Sequence, residues 1–441
     1  MSRLSFTDVL ALGFMTFALF LGAGNIIFPP QVGQSAGVAY WPAALGFLAT
    51  GVGLPVLGIV AVAVIGGGLD KMVSPLPKIA AALFGLAIYL SIGPMFALPR
   101  TATVAFEIGV VPFISLSHNV GLMLFTALFF TVAVILALIP GRLVDVIGKW
   151  ITPALIALLM IIAVATVIDP QGPLGPTKSD WQNAPFSRGF QQGYLTMDTL
   201  ASMVFGILIV TAVKARGISD KAALTRYTLY AGLIAGLCLA CVYLPLTYMG
   251  ATSHSVAPEA GEGQLIRQYV HALFGTTGPL LLGVIIVLAC LTTAVGLLTS
   301  CGEYFHRLIP KLPYRGTVIA LGVISAVIAN QGLTALIQVS VPVLVALYPL
   351  AIVLIALSFL RRFMRAPRPV FCWAMGLTLL VSLLDGLSAT GIAALSVPAT
   401  AIKIRLPLGM QDAGWIVPAL IGLIIGWLTQ PRDTAGDRSR S

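Results

Sequence analysis

The sequence of 441 residues is poor in charge, with 9% Asp, Glu, Lys and Arg against 58% hydrophobic residues. Soluble domains carry about 25% charged residues, and one soluble core cannot bury this much apolar surface. Histidine is also scarce, and the four histidines lie in loops or at the ends of apolar runs. A histidine proton relay is therefore not expected, and lipid is the expected surrounding of most of the chain.

Signatures of enzymes and ATP-driven pumps are missing as well. The segment Gly66 to Lys71 has the wrong spacing for a phosphate-binding loop and no hydroxyl residue after its lysine. No nucleophile elbow and no cluster of His, Cys and carboxylates occurs at spanning depth, so we expect neither enzymatic activity nor a cofactor. The net charge of +10 comes from Lys and Arg in short loops, which does not indicate nucleic-acid binding.

Long apolar runs, separated by polar residues, Pro or Gly, predict an all-α integral membrane protein of about twelve helices. The predicted spans are 6–34, 40–67, 78–107, 119–139, 143–168, 190–214, 222–250, 276–305, 315–332, 334–360, 369–395 and 411–430. Residues 1–441 then form a single polytopic domain in the lipid bilayer. The loops leave no room for a soluble enzymatic domain.

The distribution of Lys and Arg predicts the orientation of these helices. With a cytoplasmic N-terminus, the inside loops hold 19 Lys and Arg and the outside loops hold 5. Cytoplasmic loops are the ones that carry an excess of basic residues. Both termini are therefore expected in the cytoplasm.

The first span contains residues that interrupt a helix. Gly22-Ala23-Gly24-Asn25 is followed by Pro29 and Pro30, and glycine weakens a helix whereas proline removes a backbone donor. Unpaired backbone groups in hydrocarbon cost several kcal/mol, so a break persists where it lines a cavity or binds a ligand. If the helix stops near Leu21 and restarts near Asn25, carbonyls of the first half can ligate a cation and N–H groups of the second half can bind a carboxylate. A proline kink with a packing glycine is the alternative.

The sixth span is polar between Gly193 and Ser202, where a lipid-facing helix would be rich in leucine. Asp198 would cost roughly 3 kcal/mol at the centre of a spanning helix. We expect it near a binding site, with Arg100 of the third span as its favoured partner; the alternative for Arg100 is a substrate carboxylate. Breaks in the first and sixth spans suit a five-plus-five inverted repeat. The two repeats would be 6–168 and 190–360, with two additional helices in 369–430.

The eighth span contains two adjacent threonines, Thr292 and Thr293. Together with a carbonyl three or four residues earlier, their hydroxyl groups can supply oxygen ligands to a small cation such as sodium. The alternative is that both hydroxyl groups donate to carbonyls of their own helix.

Four segments resemble the bacterial branched-chain amino acid:cation symporters, also called transport system II carriers: 22–30, 93–102, 291–294 and 347–351. The resemblance extends over nearly the whole chain. It implies sodium-coupled uptake of leucine, isoleucine and valine in the bacterial inner membrane, on a leucine-transporter-like fold with broken first and sixth helices. In that fold a cation binds between the first and eighth helices. Here the implied sodium ligands are Ala18, Leu21, Ala289, Thr292 and Thr293.

The resemblance also implies a substrate site at the two breaks. The residues expected to meet the amino and carboxylate groups are Gly22, Ala23, Gly24, Asn25, Thr196, Asp198, Thr199 and Ser202. Asp198 leaves proton coupling open. The alternative functions are a proton-coupled or exchange carrier for another neutral amino acid and, in a different class, an ion channel or a membrane sensor.

Overall fold

The computed structural model describes residues 4–139, 152–258, 260–261 and 263–431, and regular secondary structure in these residues is helical throughout. Eight helical segments in this part are long and apolar enough to cross a membrane, and four shorter apolar helices accompany them. Large hydrophobic side chains such as Leu237 and Leu380 point outward and are exposed, which suits helices that contact lipid. The prediction of an all-α, multi-pass membrane protein is confirmed.

The helices of the first half are short because several spans are interrupted. In chain order they are α1 (Phe6–Phe20), α2 (Ala23–Ala36), α3 (Tyr40–Leu48), α4 (Leu54–Ile65), α5 (Leu69–Met72), α6 (Lys78–Leu90), α7 (Ala97–Gly109), α8 (His118–Ala137) and α9 (Thr152–Ile168). A π-helical turn at Ala49–Gly53 joins α3 to α4, and another at Ser91–Met95 joins α6 to α7. Residues 143–151, the predicted start of the fifth span, lie outside the described residues.

The second half contains longer helices. They are α10 (Pro185–Gln192), α11 (Asp198–Ala215), α12 (Lys221–Ala251), α13 (Gln264–Phe274), α14 (Thr277–Leu308), α15 (Tyr314–Ala329), α16 (Leu333–Leu360), α17 (Pro367–Ser388), α18 (Ala393–Lys403) and α19 (Ile416–Leu428). The predicted eleventh span, 369–395, is too long, because α17 ends at Ser388 and the separate helix α18 begins at Ala393.

The breaks predicted in the first and sixth spans are present. Helix α1 ends at Phe20 and α2 begins at Ala23, two residues before the predicted restart. In the sixth span, a 3₁₀ turn over Gly193–Thr196 ends at Met197, whose φ of 64° lies in the left-handed region, and α11 begins at the next residue. The third span was predicted as continuous over 78–107 but is also interrupted, since Gly93 has non-helical torsion angles next to Pro94.

Helices α1 and α2 lie at the centre of the bundle. Helix α12 packs along both of them, and α11 and α14 each contact α1. Helix α14 also packs along α7, so the interrupted third span lies beside the same centre. The breaks of the first and sixth spans are therefore surrounded by helices on all sides rather than by lipid.

Contacts between loops divide the described loops into two groups, one at each end of the bundle. At one end the contacts are Arg216–Asp8 at 3.9 Å, Arg307–Asp70 at 3.8 Å and the Arg361 guanidinium to the Lys71 carbonyl at 3.0 Å. At the other end they are Lys178 N–H to the Ser35 carbonyl at 3.0 Å, Arg188–Asp412 at 3.3 Å and the Arg267 guanidinium to the Glu107 carbonyl at 3.4 Å. The first group matches the loops with the basic excess. Some basic residues of the charge count lie outside the described residues, namely those in 1–3, Arg142, Lys149 and the C-terminal ones from Arg432.

Helix α18 places the buried ammonium group of Lys403 beside the eleventh span. Lys403 Nζ lies 3.2 Å from Asp385 Oδ1 and 2.5 Å from Asp412 Oδ1. This ion pair explains how the Asp385 carboxylate is tolerated within an apolar span.

Candidate substrate and cation site

A cavity lies where the breaks of the first and sixth spans meet, beside α7 and α14. Its volume of about 30 Å³ is room for about two water molecules. An amino acid is larger, so substrate binding here requires the lining side chains to move apart. The lining residues are Leu19, Phe20, Gly22, Ala23, Gly24, Asn25, Ile92, Ala97, Arg100, Thr101, Thr196, Met197, Asp198, Ala201, Phe205, Thr293 and Leu297.

The break in the first span places backbone groups of partial positive charge and of partial negative charge beside this cavity. Gly22 has extended backbone torsion angles and precedes α2 without a side-chain cap. The first N–H groups of a helix have no partner within the helix, so those opening α2 at Ala23, Gly24 and Asn25 are available to an anion. The last carbonyls of α1 carry the opposite partial charge.

Two of the five predicted cation ligands, Leu21 and Thr293, contact each other between the first and eighth helices. Thr293 donates a hydrogen bond from Oγ1 to the Leu21 carbonyl oxygen at 3.0 Å, across the break and between two helices. Both oxygens are neutral and buried, which is the type of ligand a sodium ion prefers. Thr293 also lines the cavity next to Gly22, so this pair of oxygens lies beside the candidate substrate site.

The other three predicted cation ligands have a different placement. Thr292 Oγ1 donates to the Ala289 carbonyl at 2.9 Å, one turn back on α14, which is the back-bonded arrangement that threonine commonly adopts in helices. Ala18 is buried on α1, one turn before the break. None of Ala18, Ala289 and Thr292 lines the cavity between the breaks.

The sixth-span break places Asp198 at the start of α11. The Thr196 hydroxyl donates to the Gly193 carbonyl at 2.9 Å and accepts from the Asp198 N–H at 3.3 Å, which holds the turn around Met197. Asp198 is therefore in the first turn of a helix, where a carboxylate is favoured by the N-terminal partial charge. Thr196 and Asp198, two of the residues expected to meet the substrate, both line the cavity.

Asp198 joins the two breaks through its side chain. Its Oδ2 accepts a hydrogen bond from Asn25 Nδ2 at 2.6 Å and another from the Tyr243 hydroxyl at 3.2 Å. Asn25 Nδ2 also contacts the Tyr243 hydroxyl oxygen. Tyr243 belongs to α12 and is fully buried, and no sequence signal marked it out from the other tyrosines of that span.

Two of the predicted substrate residues face away from the cavity. Thr199 Oγ1 donates to the Thr50 carbonyl at 3.2 Å, toward the turn between α3 and α4. Ser202 Oγ donates to the Thr199 carbonyl at 2.6 Å and lies against Gly58. On α11 the cavity is lined instead by Asp198, Ala201 and Phe205, which share one helix face by their spacing.

Arg100 is buried at the edge of the cavity, and its side chain contacts the backbone of the sixth-span break. Its guanidinium donates to the Leu195 carbonyl at 2.6 Å and to Ser340 Oγ at 2.8 Å, and it lies over the Phe28 ring at 5.3 Å. The ion pair with Asp198 that was favoured from the sequence is absent from the contacts of the described residues. Arg100 instead holds the end of the 3₁₀ turn before Met197.

Gly24 lies where the backbones of the two breaks come close together. A Cβ atom added there would lie 3.2 Å from the Leu195 carbonyl oxygen, 3.2 Å from the Thr196 Cα and 3.2 Å from the Phe28 ring. Two of these three neighbours are backbone atoms, which cannot move aside as a side chain can. The glycine therefore permits the first and sixth spans to meet at this point.

The whole sequence is similar to known amino acid carriers. A family model described as branched-chain amino acid transport protein matches residues 5–432. The chain is 52% identical over 427 residues to the branched-chain amino acid transport system 2 carrier protein of Pseudomonas aeruginosa, with 96% of each chain covered. It is 45% identical over 419 residues to the branched-chain amino acid permease BrnQ of Escherichia coli K12, covering 95% of this chain and 94% of that one.

Two solved transporters share the fold at low sequence identity. Mhp1, a nucleobase-cation-symport-1 family transporter in a closed conformation, superposes with a TM-score of 0.62 at 15% identity, covering 95% of this chain and 91% of that one. MhsT in complex with L-phenylalanine gives a TM-score of 0.58 at 17% identity, covering 95% and 98%. Both have the leucine-transporter fold, which confirms that part of the fold prediction. Matched in sequence along nearly all of its length, the chain belongs to the branched-chain amino acid transport protein family.

Proposed function

We propose that this protein is a secondary active transporter that couples sodium entry to the uptake of leucine, isoleucine and valine. The observation that carries the proposal is the contact between Thr293 Oγ1 and the Leu21 carbonyl at the first-span break. It pairs two neutral oxygens of the kind a sodium ion binds, directly beside the cavity. The names of the relatives supply the class of substrate.

The cavity supports recognition of both ends of an amino acid. The free N–H groups that open α2 can bind the substrate carboxylate, and Asp198 can accept hydrogen bonds from the ammonium group. The ammonium would then replace or join Asn25 and Tyr243 as donor to the Asp198 carboxylate. Hydrogen bonds that involve ionised groups are roughly twice as strong as neutral ones.

The apolar part of the cavity supports a branched aliphatic side chain. Phe20, Ile92, Phe205 and Leu297 line the same space as the polar groups. An apolar wall with a few polar groups at one end is the usual composition of a small-molecule site. A charged or strongly polar substrate side chain would lose its hydration without finding a partner on this wall.

The first-span break also supplies a reason for coupling. The Leu21 carbonyl would bind the ion, while Ala23 and Gly24, two and three residues later, would bind the substrate. Ordering these residues for one ligand therefore also orders them for the other. By linkage, sodium and amino acid would raise each other's affinity by the same factor.

We further propose about twelve membrane-spanning helices arranged as two inverted five-helix repeats, 6–168 and 190–360, followed by two additional helices in 369–430. The protein would lie in the bacterial inner membrane with both termini in the cytoplasm. The grouping of the basic loops at one end of the bundle supports this orientation, since basic loops stay on the cytoplasmic side. Apart from the coupling ion, the proposed transporter uses no cofactor.

Binding by the purified protein tests the proposal before transport is measured. Isothermal titration of leucine in sodium chloride and in choline chloride should give markedly tighter binding in sodium. Equal affinity in both salts would contradict sodium coupling and leave the substrate assignment standing. Lack of leucine binding in either salt, by protein that elutes as a single species, would contradict the substrate assignment.

Asp198 supports proton coupling as a second candidate. It is a buried carboxylate that contacts both breaks and α12, and intramembrane carboxylates of this type act as proton sites in transporters. Under this alternative, leucine uptake follows an inward proton gradient at zero sodium. Substitution of Asp198 by Asn would abolish that uptake, because Asn does not gain or lose a proton at physiological pH.

A further inference from the structure

A second, larger cavity lies at the end of the bundle with the basic excess. It has a volume of about 1000 Å³ and opens between the last turn of α4, the first turns of α12 and the last turn of α16. None of its lining residues belongs to the cavity between the helix breaks. The proposed transport of an amino acid makes no use of it.

The mouth of this basic crevice carries five cationic side chains and one carboxylate. The cations are Lys71, Lys221, Arg226, Arg361 and Arg362, and the carboxylate is Asp220. Asp220 accepts the Ala223 N–H at 2.8 Å and so caps α12. Clustering of four uncompensated cations costs electrostatic energy unless an anion binds among them.

A hydrogen bond to the backbone joins two walls of the crevice. Arg361 donates from its guanidinium to the Lys71 carbonyl at 3.0 Å, so the loop after α4 is fixed to the end of α16. Ser74 and Thr225 also line the crevice, and their hydroxyl groups donate to the Lys71 and Lys221 carbonyls. The basic side chains themselves are suited to the oxygens of a phosphate group.

Below the basic groups, the wall becomes apolar and continues onto the lipid-facing surface. Leu229 and Tyr230 follow Thr225 and Arg226 one turn further along α12 and line the crevice. Tyr230 is 43% exposed, and the same outer face continues with Leu233 at 54% and Leu237 at 67% exposure. Tyrosine is favoured at the level of lipid headgroups, and leucine is favoured beside acyl chains.

We propose that the basic crevice binds one anionic phospholipid. Its phosphate lies among Lys221, Arg226 and Arg362, and its acyl chains run along the outer face of α12. A water-soluble phosphate would match the charge but would leave the apolar continuation of the wall uncovered. Basic pockets between membrane helices are known to bind anionic headgroups in this way. The inference does not depend on which substrate or ion is transported.

Native mass spectrometry of the purified full-length protein in detergent tests the proposal. Phosphatidylglycerol, zwitterionic phosphatidylcholine and soluble glycerol 3-phosphate are titrated separately, and bound molecules are counted. We expect one tightly bound phosphatidylglycerol, much weaker binding of phosphatidylcholine, and no displacement of the lipid by glycerol 3-phosphate. The Lys221→Gln/Arg226→Gln variant should bind phosphatidylglycerol roughly 30-fold more weakly, since each basic residue near an anionic headgroup contributes about 1 kcal/mol.

The matched control is Lys311→Gln/Arg315→Gln, which removes the same charge at the same end of the bundle but outside the crevice. Both control residues are exposed. Affinity of this variant close to the wild-type value supports the assigned site. Equal losses of phosphatidylglycerol affinity in the two double variants would show that general surface charge accounts for the binding, and would overturn the proposal. Equal binding of phosphatidylcholine, or displacement by glycerol 3-phosphate, would overturn the lipid assignment.

Discussion

Substitution of Thr293 by Ala should raise the sodium concentration for half-maximal uptake without removing the amino acid site. The change deletes the hydroxyl group that contacts the Leu21 carbonyl at 3.0 Å. A hydrogen bond to a charged group contributes about 1.5–3 kcal/mol, and we take a sodium–hydroxyl contact to be of this order. A loss at the lower end of that range corresponds to about a tenfold increase in the sodium concentration required.

The conservative variant Thr293→Ser distinguishes the effect of losing the hydroxyl group from the effect of losing the methyl group. The methyl carbon of Thr293 lies 3.2 Å from the position that a Cβ atom of Gly22 would occupy, so both variants lose the same packing near the break. Thr293→Ser keeps the oxygen ligand and should retain a sodium dependence close to that of the wild type. Thr292→Ala should have a smaller effect than Thr293→Ala, because the Thr292 hydroxyl is directed to the Ala289 carbonyl of its own helix.

The assay is initial-rate uptake of labelled leucine into proteoliposomes over a range of sodium concentrations, at equal protein content. The leucine concentration for half-maximal uptake is measured separately at saturating sodium and should change much less. A wild-type sodium dependence in Thr293→Ala would refute the reasoning. The hydroxyl would then serve to hold α14 against the break, and the cation site would have to be sought around Asp198.

Three further outcomes are expected. Gly24→Leu should abolish leucine binding, because the leucine side chain would clash with the sixth-span backbone. The control Gly376→Leu, which places a side chain in open space on α17, should bind leucine normally. Normal leucine binding by both variants would show that Gly24 serves only helix packing. Asp198→Asn should weaken leucine binding at least about tenfold through loss of a charged acceptor, and an unchanged affinity in titration calorimetry would exclude Asp198 as the ammonium ligand. In intact cells a cysteine replacing Lys178 should react with an impermeant maleimide and one replacing Arg365 should not, and the reverse pattern would invert the proposed orientation.

The sequence carried enough information to locate the two breaks. Glycine and proline within apolar runs, and a carboxylate that would be costly in lipid, each have a direct physical meaning that does not depend on distant residues. The third-span break at Gly93 was missed even though Pro94 follows it. A single proline predicts a kink as readily as a break, and the neighbouring helices decide between them.

The partners of the site residues could not be predicted in the same way. Asp198 bonds to Tyr243 rather than to Arg100, and that choice depends on how α12 packs against α2, which is a tertiary contact. The placement of Thr199 depends on where α11 begins. With Asp198 as its first residue, Ala201 shares the face of Asp198, and Thr199 turns toward the Thr50 carbonyl.

The central claim is that a sodium gradient drives uptake of branched-chain amino acids through this protein. Labelled leucine uptake into proteoliposomes, with sodium gradient, proton gradient and membrane voltage imposed one at a time, tests it most directly. We expect accumulation with an inward sodium gradient at equal pH, an increase when the interior is made negative, and competition by isoleucine and valine. Accumulation driven by a proton gradient in the absence of sodium, with no response to a sodium gradient, would contradict it.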